Sequence, residues 1–128
     1  MLEIEQLTVE FGDEASPLIA VDRVDLSLKA GELVGCVGES GSGKSVTALT
    51  VMGLLPEPAA RVTGGAVRFE GQDLLRFSEH RMQRIRGPGI AMVFQEPMTS
   101  LNPVFTVGDQ VIETIRAHER LSRRGLYA

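Results

Sequence analysis

Long apolar runs, cysteine pairs and an excess of positive charge are all missing from this chain, and each absence removes a class of protein. Its 128 residues include one cysteine, Cys36, so no intrachain disulfide can form and the chain suits a reducing compartment. There Cys36 reads as a small buried hydrophobe in a strand rather than a reactive thiol. No apolar stretch approaches the roughly 20 residues needed to cross a bilayer. The opening "MLEIEQLTVEF" alternates acidic with apolar residues and lacks the basic start and apolar core of a secretory signal. A soluble, cytoplasmic protein is expected, with any membrane role exercised through a partner. The balance of 13 basic against 17 acidic residues gives a net charge of −4, which is not the footprint of a nucleic-acid binder. Repeats and low-complexity segments are absent as well. What remains is ordinary globular composition, 43% hydrophobic and 23% charged, enough for one domain with a core.

The patterning is that of a mixed α/β chain. "LEIEQLTVEF" alternates twice, Leu2/Ile4 and then Leu7/Val9/Phe11, and the slip at Glu5-Gln6 predicts a bulge. Val24, Leu26 and Leu28 alternate again, as in a half-solvated strand. "ELVGCVG" is a continuous apolar run of the kind buried on both faces. A helix is expected from Gly43 to Leu55, stopped before Pro56 and Pro58. "GGAVRFEGQDLL" reads as a strand with a turn at Glu70-Gly71. "SEHRMQRIRG" reads as a short helix that Ser78 can cap, and "IAMVF" as a second buried strand. Thr106 and Asp109 have capping-box spacing ahead of Val111, Ile112 and Ile115.

Between the first buried run and its helix lies Gly38-Glu39-Ser40-Gly41-Ser42-Gly43-Lys44-Ser45, which fits the phosphate-binding pattern G-x-x-x-x-G-K-[ST] in the strand–loop–helix context it requires. Glycine is costly to order, so such a loop calls for a ligand. Its glycines let successive backbone N–H groups turn inward on an anion, and the helix adds free amides and the positive end of its dipole. Lys44 supplies a compact charge to the β- and γ-phosphates, and the Ser45 hydroxyl can ligate Mg²⁺. The pattern points to a nucleoside triphosphate and leaves kinases, GTPases and ATPases open. No N-K-x-D guanine motif occurs, which weighs against a GTPase.

The segments "AVDRVDLSLKAGELVGCVGESGSGKS", "GGAVRFEGQDL" and "IAMVFQEPMTSLNPVFTVGDQVIET" together resemble the ATP-binding subunits of ABC transporters. Within that family they are most similar to the dipeptide, oligopeptide and nickel importers. The resemblance implies a P-loop ATPase fold with an antiparallel β subdomain, an incomplete parallel core sheet and flanking helices. It implies ATP and Mg²⁺ as ligands of residues 38–45, and Phe11 at the adenine-stacking position, against the alternative of strand packing. Gln95, directly after "IAMVF", matches the Q-loop glutamine that approaches Mg²⁺ and the attacking water. Val46 stands where many relatives carry a hydroxyl, so only its amide is available to the α-phosphate. The implied partners are a second ATPase subunit (identical or not), membrane permease subunits reached through the Q-loop region and, indirectly, a substrate-binding protein. The implied location is the cytoplasmic face of the membrane, and the implied task is ATP-driven import of peptides or nickel.

Some features call for plain readings. The arginines at 76, 81, 84 and 86 are expected on a solvated face. Met52, Met82, Met92 and Met98 are expected as apolar filler, and His80 and His118 match no family position. The family's signature loop, its Walker B strand ending in Asp-Glu and its switch histidine have no counterpart in residues 1–128. The expectation is therefore an N-terminal portion, Walker A through Q-loop, inactive in turnover by itself. A non-catalytic piece that keeps only nucleotide or partner binding is the alternative. Lacking the middle strands of its sheet, it should bury "LVGCV" and "IAMVF" incompletely.

Overall fold

The alternating residues at the start of the chain become β1 (Leu2–Phe11), an inner strand of a four-stranded antiparallel sheet. The computed structural model describes residues 1–13, 15–95 and 101–118. Beside β1 lie β2 (Leu18–Leu28) on one side and β3 (Ala60–Phe69) on the other, with β4 (Gln72–Asp73) beyond β3. The expected slip is present: the β1–β2 register shifts between Ile4 and Leu7, and Gln6 takes φ 46°. The slip keeps Ile4, Leu7 and Val9 on one face, each no more than 2% exposed. The bulge is held from both sides. Asp25 on β2 accepts the Gln6 backbone N–H at 2.8 Å and a second bond from the Gln6 amide. Gly65 on β3 sits at φ 89°, where an added Cβ would run into the carbonyl oxygens of Glu5 and Gln6.

The turn at Glu70-Gly71 has φ 49° and 77° at its two residues, the geometry that suits the twist of a tight hairpin. A single 3-10 turn (Leu74–Arg76) follows, with Asp73 accepting the Leu75 N–H. The buried set of Met1–Met82, the first of two compact units, combines Ile4, Leu7, Val9, Val21, Ala60 and Val67 of the sheet with Val51, Met52, Leu74 and Met82. Met52 and Met82 are thus the apolar filler expected of them.

Helix α1 (Lys44–Met52) is shorter than expected. Gly53 ends it rather than the prolines: at φ 61° it leaves the helix while its N–H and that of Leu54 bond back to the Thr50 and Leu49 carbonyls, a Schellman closure. α2 (Glu79–Ile85) follows Ser78, whose carbonyl accepts from Arg81 and Met82. In the second unit, Gln83–Ala128, α3 (Val107–His118) begins at Thr106. There the Thr106 Oγ1 accepts the Asp109 N–H at 3.1 Å and donates to the Asp109 carboxylate at 2.6 Å. Of the apolar residues that follow the capping pair, Ile112 is buried and Val111 is 52% exposed. Met98 lies outside the described residues.

Two expected buried strands are not strands. Residues 32–39 carry no regular hydrogen-bonded structure, and Leu33 and Val37 are 98% and 93% exposed. Cys36 is exposed too, not buried in a strand. Residues 91–94 behave alike: Val93 is 95% exposed, and Ile90 makes only an isolated bridge to Arg86. A strand buried on both faces needs partners on both edges and layers above and below. Among the described residues neither run has them. The exposure agrees with the companion expectation that these runs are incompletely buried.

Candidate functional site

The loop between residue 38 and α1 is shaped by two glycines and one lysine. Gly43, the N-cap of α1, takes φ 87°, and a Cβ there would come within 2.6 Å of the Ala20 carbonyl oxygen and 3.2 Å of Val21 Cγ2. No other residue satisfies both the left-handed backbone and that approach to β2. A Cβ at Gly38 would meet the Ser42 hydroxyl at 2.6 Å and the Lys44 ammonium at 3.6 Å. The loop is therefore wound closely around the lysine side chain, with β2 as its backstop.

Lys44 is half-buried. Its ammonium donates to the Gly38 and Glu39 carbonyls, both at 2.7 Å, and to the Ser42 hydroxyl at 3.0 Å. Three donors meet three acceptors, so the charge is satisfied by the loop itself. The first bond inside α1 is that from Thr47 N–H to Gly43 O at 2.8 Å, which leaves the amides of Lys44, Ser45 and Val46 ahead of it. No side chain caps these amides and no acidic residue stands in the first turn. The positive end of the helix is thus free for an anion. Ser45 is exposed at that end. The Thr47 hydroxyl does not make good the hydroxyl missing at Val46, because it turns back to the Gly43 carbonyl at 3.0 Å.

Phe11 closes β1, half-buried and paired with Leu18 and Ala60. Strand alternation puts it on the face of Leu7 and Val9. Val9 pairs with Val21, the residue against which Gly43 packs. Phe11 thus lies on the sheet face against which Gly43 packs. Gln95 is exposed and belongs to the second unit. Glu39, Ser40 and Gly41 lie along the exposed rim of the loop.

Two contributors were not legible in the sequence. Ala20 is the wall behind Gly43, and Arg61 bonds to the end of β1. Both act across strands, so no local spacing announces them. The arginines expected on a solvated face have specific partners as well. Arg76 pairs with Asp73 at 3.2 Å, and Arg81 lies 3.7 Å over the Phe77 ring while donating to Gln72. Among the described residues no helix is long and apolar enough to cross a membrane, and no cluster of metal-ligating side chains occurs.

An antiparallel sheet backing a lysine-centred, glycine-rich loop at an uncapped helix end is the arrangement of an ATP-binding-cassette fold. The chain belongs to the ABC transporter family, whose family model matches residues 21–127. It is 52% identical over 119 residues to the dipeptide transport ATP-binding protein DppD of Escherichia coli, covering 93% of this chain and 36% of that protein. It is 43% identical over 124 residues to the oligopeptide transport ATP-binding protein AppD of Bacillus subtilis, covering 97% and 38%. Among solved structures it is similar to the ATP-binding cassette MJ0796 in a dimeric post-hydrolysis state bound to ADP and Pi. There the TM-score is 0.80 at 27% identity, over 98% of this chain and 52% of that one. The chain spans a little over a third of the length of these curated relatives.

Proposed function

We propose that residues 38–46 bind the triphosphate of ATP and that, in the full chain, ATP hydrolysis drives the import of peptides. The observation that carries this reading is the Lys44 ammonium, wrapped by its own loop at the free end of α1. Phosphate oxygens carry more charge than two carbonyls and a hydroxyl and are stronger acceptors. Lys44 can therefore exchange its loop partners for β- and γ-phosphate oxygens without a change of fold. Gly41 and Gly43 orient the loop's amides, and the Val46 amide alone serves the α-phosphate. The exposed Ser45 hydroxyl would hold Mg²⁺, which would supply positive charge to the phosphates. Phe11 offers its ring to the adenine. The role of Gln95 toward the metal and the attacking water rests on the resemblance.

The names of the relatives support peptide over nickel as cargo, since those quoted are dipeptide and oligopeptide transport proteins. The dimeric state of the solved cassette supports pairing with a second ATPase subunit. Permease contacts through the Q-loop region, a substrate-binding protein upstream and a place on the cytoplasmic face complete the proposal. On this reading residues 1–128 are the Walker A to Q-loop portion of a nucleotide-binding domain. Titration with a fluorescent ATP analogue, with ATP and GTP as competitors, tests the binding step. Failure of ATP to compete overturns the reading.

A further inference from the structure

The end of β1 is gripped by three successive residues of the segment that begins β3. Gly12, at φ 85°, follows Phe11, and its N–H donates to the Ala59 carbonyl at 3.0 Å. Phe11 itself pairs with Ala60. Arg61 then reaches across both flanks of the aromatic residue: Nη1 donates to the Gly12 carbonyl at 2.9 Å and Nη2 to the Glu10 carboxylate at 3.0 Å. The guanidinium thus ties together the residues on either side of Phe11. The pair is sheltered, with the Arg61 and Glu10 side chains 32% and 18% exposed, so salt screens it less than an open surface pair. The two separate NH₂ groups of the guanidinium reach the Glu10 carboxylate and the Gly12 carbonyl together; a lysine in its place has a single nitrogen and cannot occupy both positions.

A strand end that runs into a left-handed glycine is where fraying starts. A ring that stacks on a base must instead be held in one orientation before the base arrives, or ordering it subtracts from affinity. We propose that Arg61 is a positioning residue for the base-binding platform: it fixes Phe11 through Glu10 and Gly12 and so sets affinity for the nucleoside part of ATP without touching the nucleotide. The inference rests on the reading of Phe11 as the adenine-stacking residue.

The test titrates the full chain and its Phe11→Ala, Arg61→Ala and Arg61→Lys variants with ATP and with inorganic triphosphate, which has no base. Arg61→Ala should weaken ATP about three- to tenfold, a part of what a base–aromatic stack is worth, and leave triphosphate within about twofold. Arg61→Lys, which keeps the charge beside Glu10 and loses the bond to Gly12, should show the same selective loss in smaller degree. It also carries the comparison if Arg61→Ala does not fold. Equal losses for both ligands, or no loss in either arginine variant, overturn the inference. If Phe11→Ala changes ATP and triphosphate alike, the adenine reading of Phe11 is what fails, and the inference falls with it. If Phe11→Ala is selective and the arginine variants are not, the inference alone is overturned.

Discussion

Lys44 shows why a single side chain can be assigned a chemistry before any ligand is considered. Its ammonium sits within 3.0 Å of three oxygens of its own loop, an arrangement that pre-forms the concavity and keeps a charge at its centre. Removing it by Lys44→Ala takes away charge-assisted bonds worth about 1.5–3 kcal/mol each. ATP affinity should fall at least about tenfold, and hydrolysis by the full chain should be lost. A fluorescence titration that finds unchanged affinity rules out the phosphate-cradle reading. Phe11→Ala should weaken ATP more than inorganic triphosphate, and Phe11→Tyr should be nearly neutral because the ring face is kept. A lower melting temperature with unchanged relative affinities would make Phe11 a packing residue only.

At the level of elements, the bulge in β1 is a joint product of three strands. Gln6 sits in a conformation unusual for its type, Asp25 satisfies it from β2, and Gly65 makes room for it on β3. The alternation of Leu2/Ile4 against Leu7/Val9 made the bulge legible in the sequence, since only an extra residue restores both pairs to one face. Its supports were not legible, because Asp25 and Gly65 are distant in the chain. Gly65→Ala should cost more than about 2 kcal/mol, from the left-handed backbone and the collision with two carbonyls. Asp25→Ala should cost nearer 1 kcal/mol, since its bonds are exposed to water. Urea unfolding of the two variants measures the order; the reverse order would mean that Asp25, not Gly65, secures the bulge.

At the level of the whole molecule, the exposed runs and the missing motifs make one set of expectations. Leu33 and Val37, at 98% and 93% exposed, should tolerate a Leu33→Ser, Val37→Ser double change at about 0.5 kcal/mol per site or less. Leu7→Ala, with its side chain fully buried, should cost about 2–5 kcal/mol. Melting of the 128-residue chain checks the contrast. Turnover is the second whole-molecule quantity. The chain offers a phosphate loop and Gln95 but no apolar run ending in Asp-Glu. Missing transition-state contacts in phosphoryl transfer cost factors of about 10³–10⁵. Phosphate release by the purified chain should be near background, with Lys44→Ala as the contamination control. Robust release that disappears in the control would show those motifs to be dispensable.

Local structure was determined by the sequence alone: the glycine-rich loop wound around Lys44, the capping pair Thr106/Asp109, the tight turn at Glu70-Gly71 and the bulge at Gln6 all follow from residues within a few positions of one another. Such features depend on backbone dihedrals and short-range hydrogen bonds, which neighbouring residues dictate. Burial was decided only in three dimensions. "LVGCV" and "IAMVF" have the hydrophobicity of buried strands, yet Leu33, Val37 and Val93 face solvent, because burial belongs to a pair of surfaces and neither run has its second surface among the described residues. The same reason hid Arg61. Its bonds to Glu10 and Gly12 span 51 and 49 residues, and only the pairing of β1 with β3 brings them together.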